Sequence, residues 1–208
     1  MPQVTVEAVE TVGTRTAALE LRTPEGFVAD PGQFVLVRAT VDGVEETGYY
    51  TLSSPGTDGT MEVTVEYVPE GTLAPWLADR SAGDTIEIEG PFGDVRYTGD
   101  GPVVVLAEGP GIGPAVGIAE RATRAGHDAA VVFWGEDPPH GDRLDALETE
   151  GATVSVVGSL DEAADTLAET GGTVYVFGFE SFVRDAKTVA EAVGVADEDL
   201  RAESFGAR

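Results

Sequence analysis

Apolar and polar positions alternate along most of the first hundred residues. Val4-Thr5-Val6-Glu7-Ala8-Val9 and Thr16-Ala17-Ala18-Leu19-Glu20-Leu21 both repeat every second residue, the period of a strand with one buried face. Met61-Glu62-Val63-Thr64-Val65-Glu66-Tyr67 and Thr85-Ile86-Glu87-Ile88-Glu89 do the same. Pro31-Gly32-Gln33-Phe34-Val35-Leu36-Val37 reads as a turn leading into a strand. Gly48-Tyr49-Tyr50-Thr51-Leu52-Ser53-Ser54-Pro55 reads as a short strand ending in a Ser/Pro turn. Six strands parted by Gly, Pro and Asp predict a small antiparallel barrel. One helix is expected over Leu73 to Asp79, ended by Ala82-Gly83-Asp84.

The pattern changes near Asp100-Gly101-Pro102, which divides the chain into residues 1–99 and 100–208. Val103-Val104-Val105-Leu106-Ala107 is continuously apolar, as in a strand buried on both faces. Strands are also expected over Ala129 to Trp134, Thr153 to Val157, Thr173 to Phe177 and Arg201 to Phe205. Helices are expected over Ala115 to Ala125, Arg143 to Glu150, Asp161 to Thr170 (opened by an acidic N-cap) and Phe179 to Val193. Such alternation predicts a parallel sheet with helices on both sides. Ligands of such a sheet bind beyond the carboxyl ends of its strands, where the strand order reverses.

Charge narrows the setting. The chain carries a formal net charge of −26, with 38 acidic residues against 12 basic ones. The acids are spread evenly, 18 up to residue 100 and 20 beyond it, so this is no acidic tail. Lys187 is the only lysine. Self-repulsion on this scale destabilises a fold in low salt, and molar salt screens it. The composition resembles that of cytoplasmic proteins of salt-accumulating halophiles and argues against a nucleic-acid partner. No apolar run approaches a membrane span. The opening Met1-Pro2-Gln3-Val4 predicts no secretory signal. With no cysteine, the chain has no disulfide, thiolate nucleophile or cysteine-ligated cluster. Its two histidines, His127 and His140, read as loop residues, and no metal site is expected.

Two stretches carry candidate chemistry. A flat redox ring needs an aromatic or apolar face and a few hydrogen-bond partners at its polar edge. Tyr50 supplies a face and Thr51 a partner. Alternation sends them to opposite sides of a strand, so Thr51 is expected to act largely through its backbone or at a bend. The second stretch is Ala107-Glu108-Gly109-Pro110-Gly111-Ile112-Gly113-Pro114. Its glycines would let backbone amides approach a pyrophosphate, and a helix start favours the charge. Pro114 suits the first helical position. Each stretch also has a plain structural reading, as a core tyrosine and as a packing turn.

Gly48-Tyr49-Tyr50-Thr51 resembles the flavin-binding Arg-x-Tyr-Ser/Thr signature of ferredoxin–NADP reductase-like flavoproteins. Pro31-Gly32-Gln33-Phe34 resembles that family's Pro-Gly-Gln-Phe turn, and Gly90-Pro91-Phe92-Gly93 its Gly-Pro-x-Gly turn after the sixth strand. Gly71-Thr72-Leu73-Ala74-Pro75-Trp76-Leu77 resembles its flavin-phosphate helix start. The glycine loop resembles its Ala-Gly-Gly-x-Gly-Ile-x-Pro nicotinamide-binding turn. Phe177-Gly178-Phe179-Glu180 stands at its Cys-Gly-x-x turn, and Glu203-Ser204-Phe205-Gly206 resembles its terminal Glu-x-Phe. The resemblance runs in order over nearly the whole chain. It implies a six-stranded antiparallel Greek-key barrel binding flavin, followed by a parallel-sheet Rossmann-like domain binding a nicotinamide dinucleotide.

The resemblance also implies a flavin oxidoreductase using FAD or FMN with NADH or NADPH, and a separate acceptor: a ferredoxin-like protein, free flavin or a small molecule. Tyr50 and Thr51 would be the catalytic pair. Tyr49, Leu52, Ser53, Gly71, Thr72 and Leu73 would join them around the flavin. Gly109, Gly111, Ile112, Gly113, Pro114, Gly178 and Phe205 would hold the nicotinamide. The departures are Gly48 and Ala74 at the two phosphate contacts, Glu108 and Pro110 in the dinucleotide turn, and Phe177 for the cysteine. They leave open a flavin reductase that uses flavin as a passing substrate, and a non-catalytic electron-transfer or assembly module.

Overall fold

A computed structural model describes residues 2–207; Met1, the first residue of the segment read for a signal, lies outside them. The first six strands are β1 (Gln3–Gly13), β2 (Thr16–Arg22), β3 (Phe34–Val41), β4 (Val44–Thr51), β5 (Thr60–Glu66) and β6 (Thr85–Phe92). Helix α1 (Leu73–Ala78) falls between the last two. All pairings are antiparallel, in the order β4-β3-β6-β1-β2-β5. An antiparallel bridge between Leu52 and Val63 joins the two edges, so the sheet closes as a barrel. The alternating positions point inward as expected: Val35 and Val37 of β3 meet Val63 and Val65 of β5 and Ile86 and Ile88 of β6 in one buried core. Leu73 and Leu77 of α1 complete it.

The second half holds β7 (Val103–Glu108), α2 (Ile112–Arg124), β8 (Ala129–Trp134), α3 (Gly141–Thr149), β9 (Thr153–Val157), α4 (Ala163–Thr170), β10 (Thr173–Gly178), α5 (Glu180–Ala192) and β11 (Leu200–Ser204). The sheet is wholly parallel, in the order β11-β10-β7-β8-β9. Every residue of β7 is buried, because helices cover both faces. Val103, Val105 and Ala107 face α2 and α3, while Val104 and Leu106 face α4 and α5. Tyr97, ahead of the compositional break, is buried in the α2-side core and donates its hydroxyl to the Gly101 carbonyl. The strand order reverses between β7 and β10, so the ligand crevice of this topology lies at Glu108 and Gly178.

Several local expectations are corrected. Helix α2 starts at Ile112 rather than Ala115, after a 3-10 turn over Gly109–Gly111. Pro114 is therefore its third residue, not its first. The helix after β9 opens with a 3-10 turn over Leu160–Glu162, and its cap is Ser159, whose hydroxyl accepts the Asp161 N–H. Ser159 sits in extended backbone, the usual cap conformation, whereas Asp161 is already helical. Gly90-Pro91-Phe92 is not a turn but the end of β6, where Phe92 pairs with Phe34 across a register shift. Among the described residues, no helix is long and apolar enough to cross a membrane.

Candidate functional site

A cavity of about 440 Å³ opens where the end of β4 meets β11 and the β7–α2 turn. This volume lies in the range of small-molecule pockets. Its walls are aromatic on both sides. Phe34, Tyr49 and Tyr50 come from the barrel, and Phe179 and Phe205 from the second half. Phe34 and Tyr49 meet edge to face at 5.4 Å, and Phe179 and Phe205 do so at 6.4 Å. Tyr49 is 69% exposed, a large apolar surface to leave open to solvent.

Tyr50 explains why position 48 is glycine. A Cβ added at Gly48 would lie 3.0 Å from Tyr50 Cε2 and 3.1 Å from Leu73 Cδ2. The Tyr50 ring therefore lies back over bare β4 backbone, wedged toward the α1 start. One side packs on the barrel core and the other lines the cavity. Burial pushes the Tyr50 hydroxyl well above its ordinary pKa, so it stays neutral.

Thr51 stands at the end of β4, the second of the two places expected for it, and makes its contact with its side chain. Its hydroxyl donates to Glu203 Oε1 at 3.3 Å, linking the last residue of β4 to β11. It does so because β4 ends there and Leu52 already bridges to β5. Glu203 belongs to the terminal stretch already quoted, but sequence reasoning gave a site role only to Phe205 of that stretch. Burial pushes the Glu203 carboxyl up to about 7, partly offset by the Thr51 hydrogen bond. A parallel β11 beside β10 delivers residue 203 to the carboxyl end of the sheet, and the terminal Glu-x-Phe resemblance was the sequence signal for it. Phe34, Glu66 and Phe179 also line the cavity without having been singled out.

The glycine turn has a packing role. Gly109 has φ +54 and sits at the cavity margin, where a Cβ would come within 3.0 Å of Glu66 Oε2. A Cβ at Gly111 would overlap the Phe177 carbonyl. One at Gly113 would lie 2.6 Å from Thr64 Oγ1, and one at Gly117 2.8 Å from the Ser53 carbonyl. Bare backbone thus lets α2 press on the barrel. Gly111, Ile112, Gly113 and Pro114 are all buried, as are Leu52 and Ser53 beneath them. Phe177 is fully buried in the α2-side core rather than facing the cavity.

Polar groups fasten the same contact. Arg143 of α3 donates from Nη1 to Glu62 Oε1, from Nε to Glu120 Oε1 and from Nη2 to the Ser53 carbonyl, each at 2.7 Å. The Ser53 hydroxyl donates to Glu62 at 2.7 Å. Burial alone would lower the Arg143 pKa, but Glu120 and Glu62 reverse this and hold it above its ordinary value. His140 has the backbone of a loop residue, with φ +63 just before α3, yet its side chain is buried. Its Nε2 lies 2.8 Å from Thr64 Oγ1. Burial, then the Arg143 charge, lower its pKa to about 3, so it is neutral. His127 is half-buried, with Nε2 3.1 Å from the Gly99 carbonyl. No group of three metal-ligating side chains occurs among the described residues.

The expected site residues therefore divide. Tyr49, Tyr50, Thr51 and Phe205 share the cavity, and Gly109 borders it. Leu73 lies in the barrel core, while Gly71 and Thr72 are exposed. Helix α1 has only six residues, and Thr72 makes no side-chain cap bond. Gly178 is buried at the end of β10 because Glu108 and Phe182 lie against it.

Comparison with known proteins agrees with this layout. Residues 3–97 match the family model described as the oxidoreductase FAD-binding domain. Over 130 residues the chain is 35% identical to the probable dihydroorotate dehydrogenase B (NAD(+)), electron transfer subunit of Methanopyrus kandleri; this covers 62% of the chain and 46% of that protein. It is 24% identical over 225 residues to the naphthalene 1,2-dioxygenase system ferredoxin–NAD(P)(+) reductase component of Pseudomonas putida, covering 97% and 68%. The flavohem-like FAD/NAD binding domain of nitric oxide dioxygenase from Vibrio cholerae superimposes with a TM-score of 0.81 at 18% identity, covering 98% of both chains. The chain spans about half the length of the first curated relatives it matches.

Proposed function

We propose that the chain is a flavin-dependent oxidoreductase of the ferredoxin–NADP reductase-like kind, passing electrons between a reduced nicotinamide and a separate acceptor; the match of residues 3–97 to the oxidoreductase FAD-binding domain supports this reading. The observation that carries this reading is the aromatic cavity with the Thr51–Glu203 pair at its polar edge. A flat ring system fits such a space. Bound flavin supplies the redox chemistry, taking a hydride equivalent and releasing electrons singly or in pairs. Tyr50 would give the ring a face, and Phe179 and Phe205, which line the opposite wall of the cavity, would keep water from it. Thr51 and Glu203 hold a proton beside the ring edge, because a carboxyl titrating near neutrality can both give and accept one. Residues 1–99 would bind the flavin and residues 100–208 the nicotinamide.

These 208 residues contain no cysteine and so cannot themselves ligate a ferredoxin-type cluster, which fits an acceptor outside them. A ferredoxin-like protein, a free flavin or a small molecule would serve. The acidic surface supports a high-salt cytoplasmic setting. The test is reconstitution with FAD and with FMN in molar salt, using wild type and Tyr50→Ala. A flavin spectrum in fixed ratio to protein is expected. The variant should bind more weakly by about 1–3 kcal/mol, the scale of stacking on an aromatic ring. Equal affinity in two folded proteins would reduce Tyr50 to a core residue.

A second reading, a flavin reductase with flavin as passing substrate, is favoured by the phosphate end. Gly48 brings no cation, and α1 is short, with Ala74 and Pro75 in its first turn. Protein that loses flavin on gel filtration, yet oxidises NADH when flavin is added, would select this reading.

A further inference from the structure

Glu108 ends β7 at the point where the strand order reverses, beside Gly178 at the end of β10. An anion would be expected to enter an open parallel sheet here. The crevice already contains one. Glu108 is only 7% exposed, although charged residues are seldom buried unless they are held by partners. Its Oε2 accepts the backbone N–H of Phe179 at 3.1 Å. Phe179 is the N-cap residue of α5, a helix of thirteen residues. The carboxylate also fills the space above the glycine: a Cβ at Gly178 would lie 3.1 Å from Glu108 Cβ and 3.2 Å from Oε2.

The other side of the crevice gives a phosphate little in exchange. Pro110 has no N–H, and Gly111 and Gly113 are buried against Phe177 and Thr64. Helix starts attract anions because their first N–H groups lack partners. At α5 a side chain of the same protein has taken that role.

We propose that Glu108 is the residue that limits dinucleotide binding at this crevice, because its carboxylate occupies the place and the backbone donor that a pyrophosphate would use. The inference rests on the oxidoreductase reading for the identity of the ligand. It makes the protein a weak binder of nicotinamide dinucleotides, with reduction governed by their concentration. The Glu108 position is a specificity determinant and takes no part in moving electrons.

The test is calorimetric titration of ADP-ribose into wild type, Glu108→Gln and Glu108→Ala in molar potassium chloride. ADP-ribose carries the pyrophosphate without the redox ring, so binding is read apart from turnover. Glu108→Gln keeps the shape and the Phe179 hydrogen bond while removing the charge, and it carries the test if the alanine variant does not fold. At least tenfold tighter binding is expected in Glu108→Ala, with Glu108→Gln between it and wild type. Variants that are folded and bind no more tightly than wild type, or do not bind at all, overturn the proposal. Weaker binding overturns it too, since Glu108 would then be ordering the site. Flavin uptake, measured without dinucleotide, separates this outcome from failure of the oxidoreductase reading.

Discussion

The Thr51 hydroxyl donates to the Glu203 carboxylate at 3.3 Å, joining positions 152 residues apart. The bond ties the end of β4 to β11 across the cavity. Burial raises the Glu203 pKa from 4.5 to about 7, while the Thr51 bond acts in the lowering direction. Folded protein thus binds more protons than unfolded protein between roughly pH 4.5 and 7, and this group's contribution to stability falls as pH rises through that window. Glu203→Gln should remove that fall and gain stability relative to wild type above pH 7. Thr51→Val should move the Glu203 midpoint above 7. Carboxyl-carbon NMR titration reads the midpoint, and thermal unfolding across pH reads the stability. A Glu203 midpoint near 4.5 would refute both. His140 works in the opposite direction: lowered from 6.5 to about 3, it withdraws stability as pH falls through that range.

The barrel was legible because β3 and β6 keep one partly exposed face, and β5 keeps polar Glu62, Thr64 and Glu66 on the face that meets the second half, so all three alternate. The parallel sheet was legible because β7 has none, which forces a continuous apolar run. The cavity was half legible. Tyr50 and Thr51 stand in a recognisable local stretch, but Glu203 reaches them only through the parallel pairing of β11 with β10. The glycine turn carries two readings for a related reason. Glycine spacing cannot distinguish backbone that approaches a phosphate from backbone that approaches Thr64 and Ser53 of another element. Arg143 and His140 carried no local signal at all, since their partners lie on β5, on α2 and after β4.

Arg143 should act as a clamp between the two halves. Arg143→Met would leave Glu62 without its cation, Glu120 with only the longer Arg124 contact at 3.5 Å, and the Ser53 carbonyl without its Arg143 donor. Loss of one member of a buried ionic network costs about 3–5 kcal/mol. The Arg143 side chain is 23% exposed, which lowers the expectation to roughly 2–3 kcal/mol. Arg143→Lys keeps the charge but cannot meet three acceptors from one planar group, so it should fall between. Thermal unfolding in molar salt checks this, and a variant as stable as wild type would remove the clamp.

Salt should stabilise the whole chain. The net charge of −26 is spread over both halves and opposed by few cations. The screening length falls from about 10 Å at 0.1 M to about 3 Å at 1 M. Repulsion between scattered surface carboxylates therefore fades, while the Arg143 contacts, partly buried and short, are screened less. The unfolding midpoint should rise steeply between these concentrations in potassium chloride. A flat midpoint would reject the high-salt reading.

The choice of nicotinamide follows from the ends of β8 and β9. A cavity of about 460 Å³ lies there, lined in part by Trp134, Ser159, Asp161 and Asp185, with no lysine or arginine in its walls. An open sheet of this kind places an adenosine ribose near these strand ends, where a carboxylate accepts the 2′-hydroxyl and a cation would be needed for a 2′-phosphate. Arg143 is committed to Glu62, Glu120 and Ser53. Arg184 pairs with Asp185 at 2.9 Å. A phosphate charge about 5 Å from either aspartate costs roughly 3 kcal/mol at an effective dielectric near 20, before salt screening. Molar salt weakens that repulsion without creating a donor. NADH should therefore be used at least as well as NADPH, judged by the ratio of kcat/KM in high salt with an artificial acceptor. Ser159→Arg should move the ratio toward NADPH by supplying the missing cation. A wild-type preference for NADPH would refute the assignment of this cavity to the ribose, because the phosphate would then have to meet an arginine elsewhere on the fold.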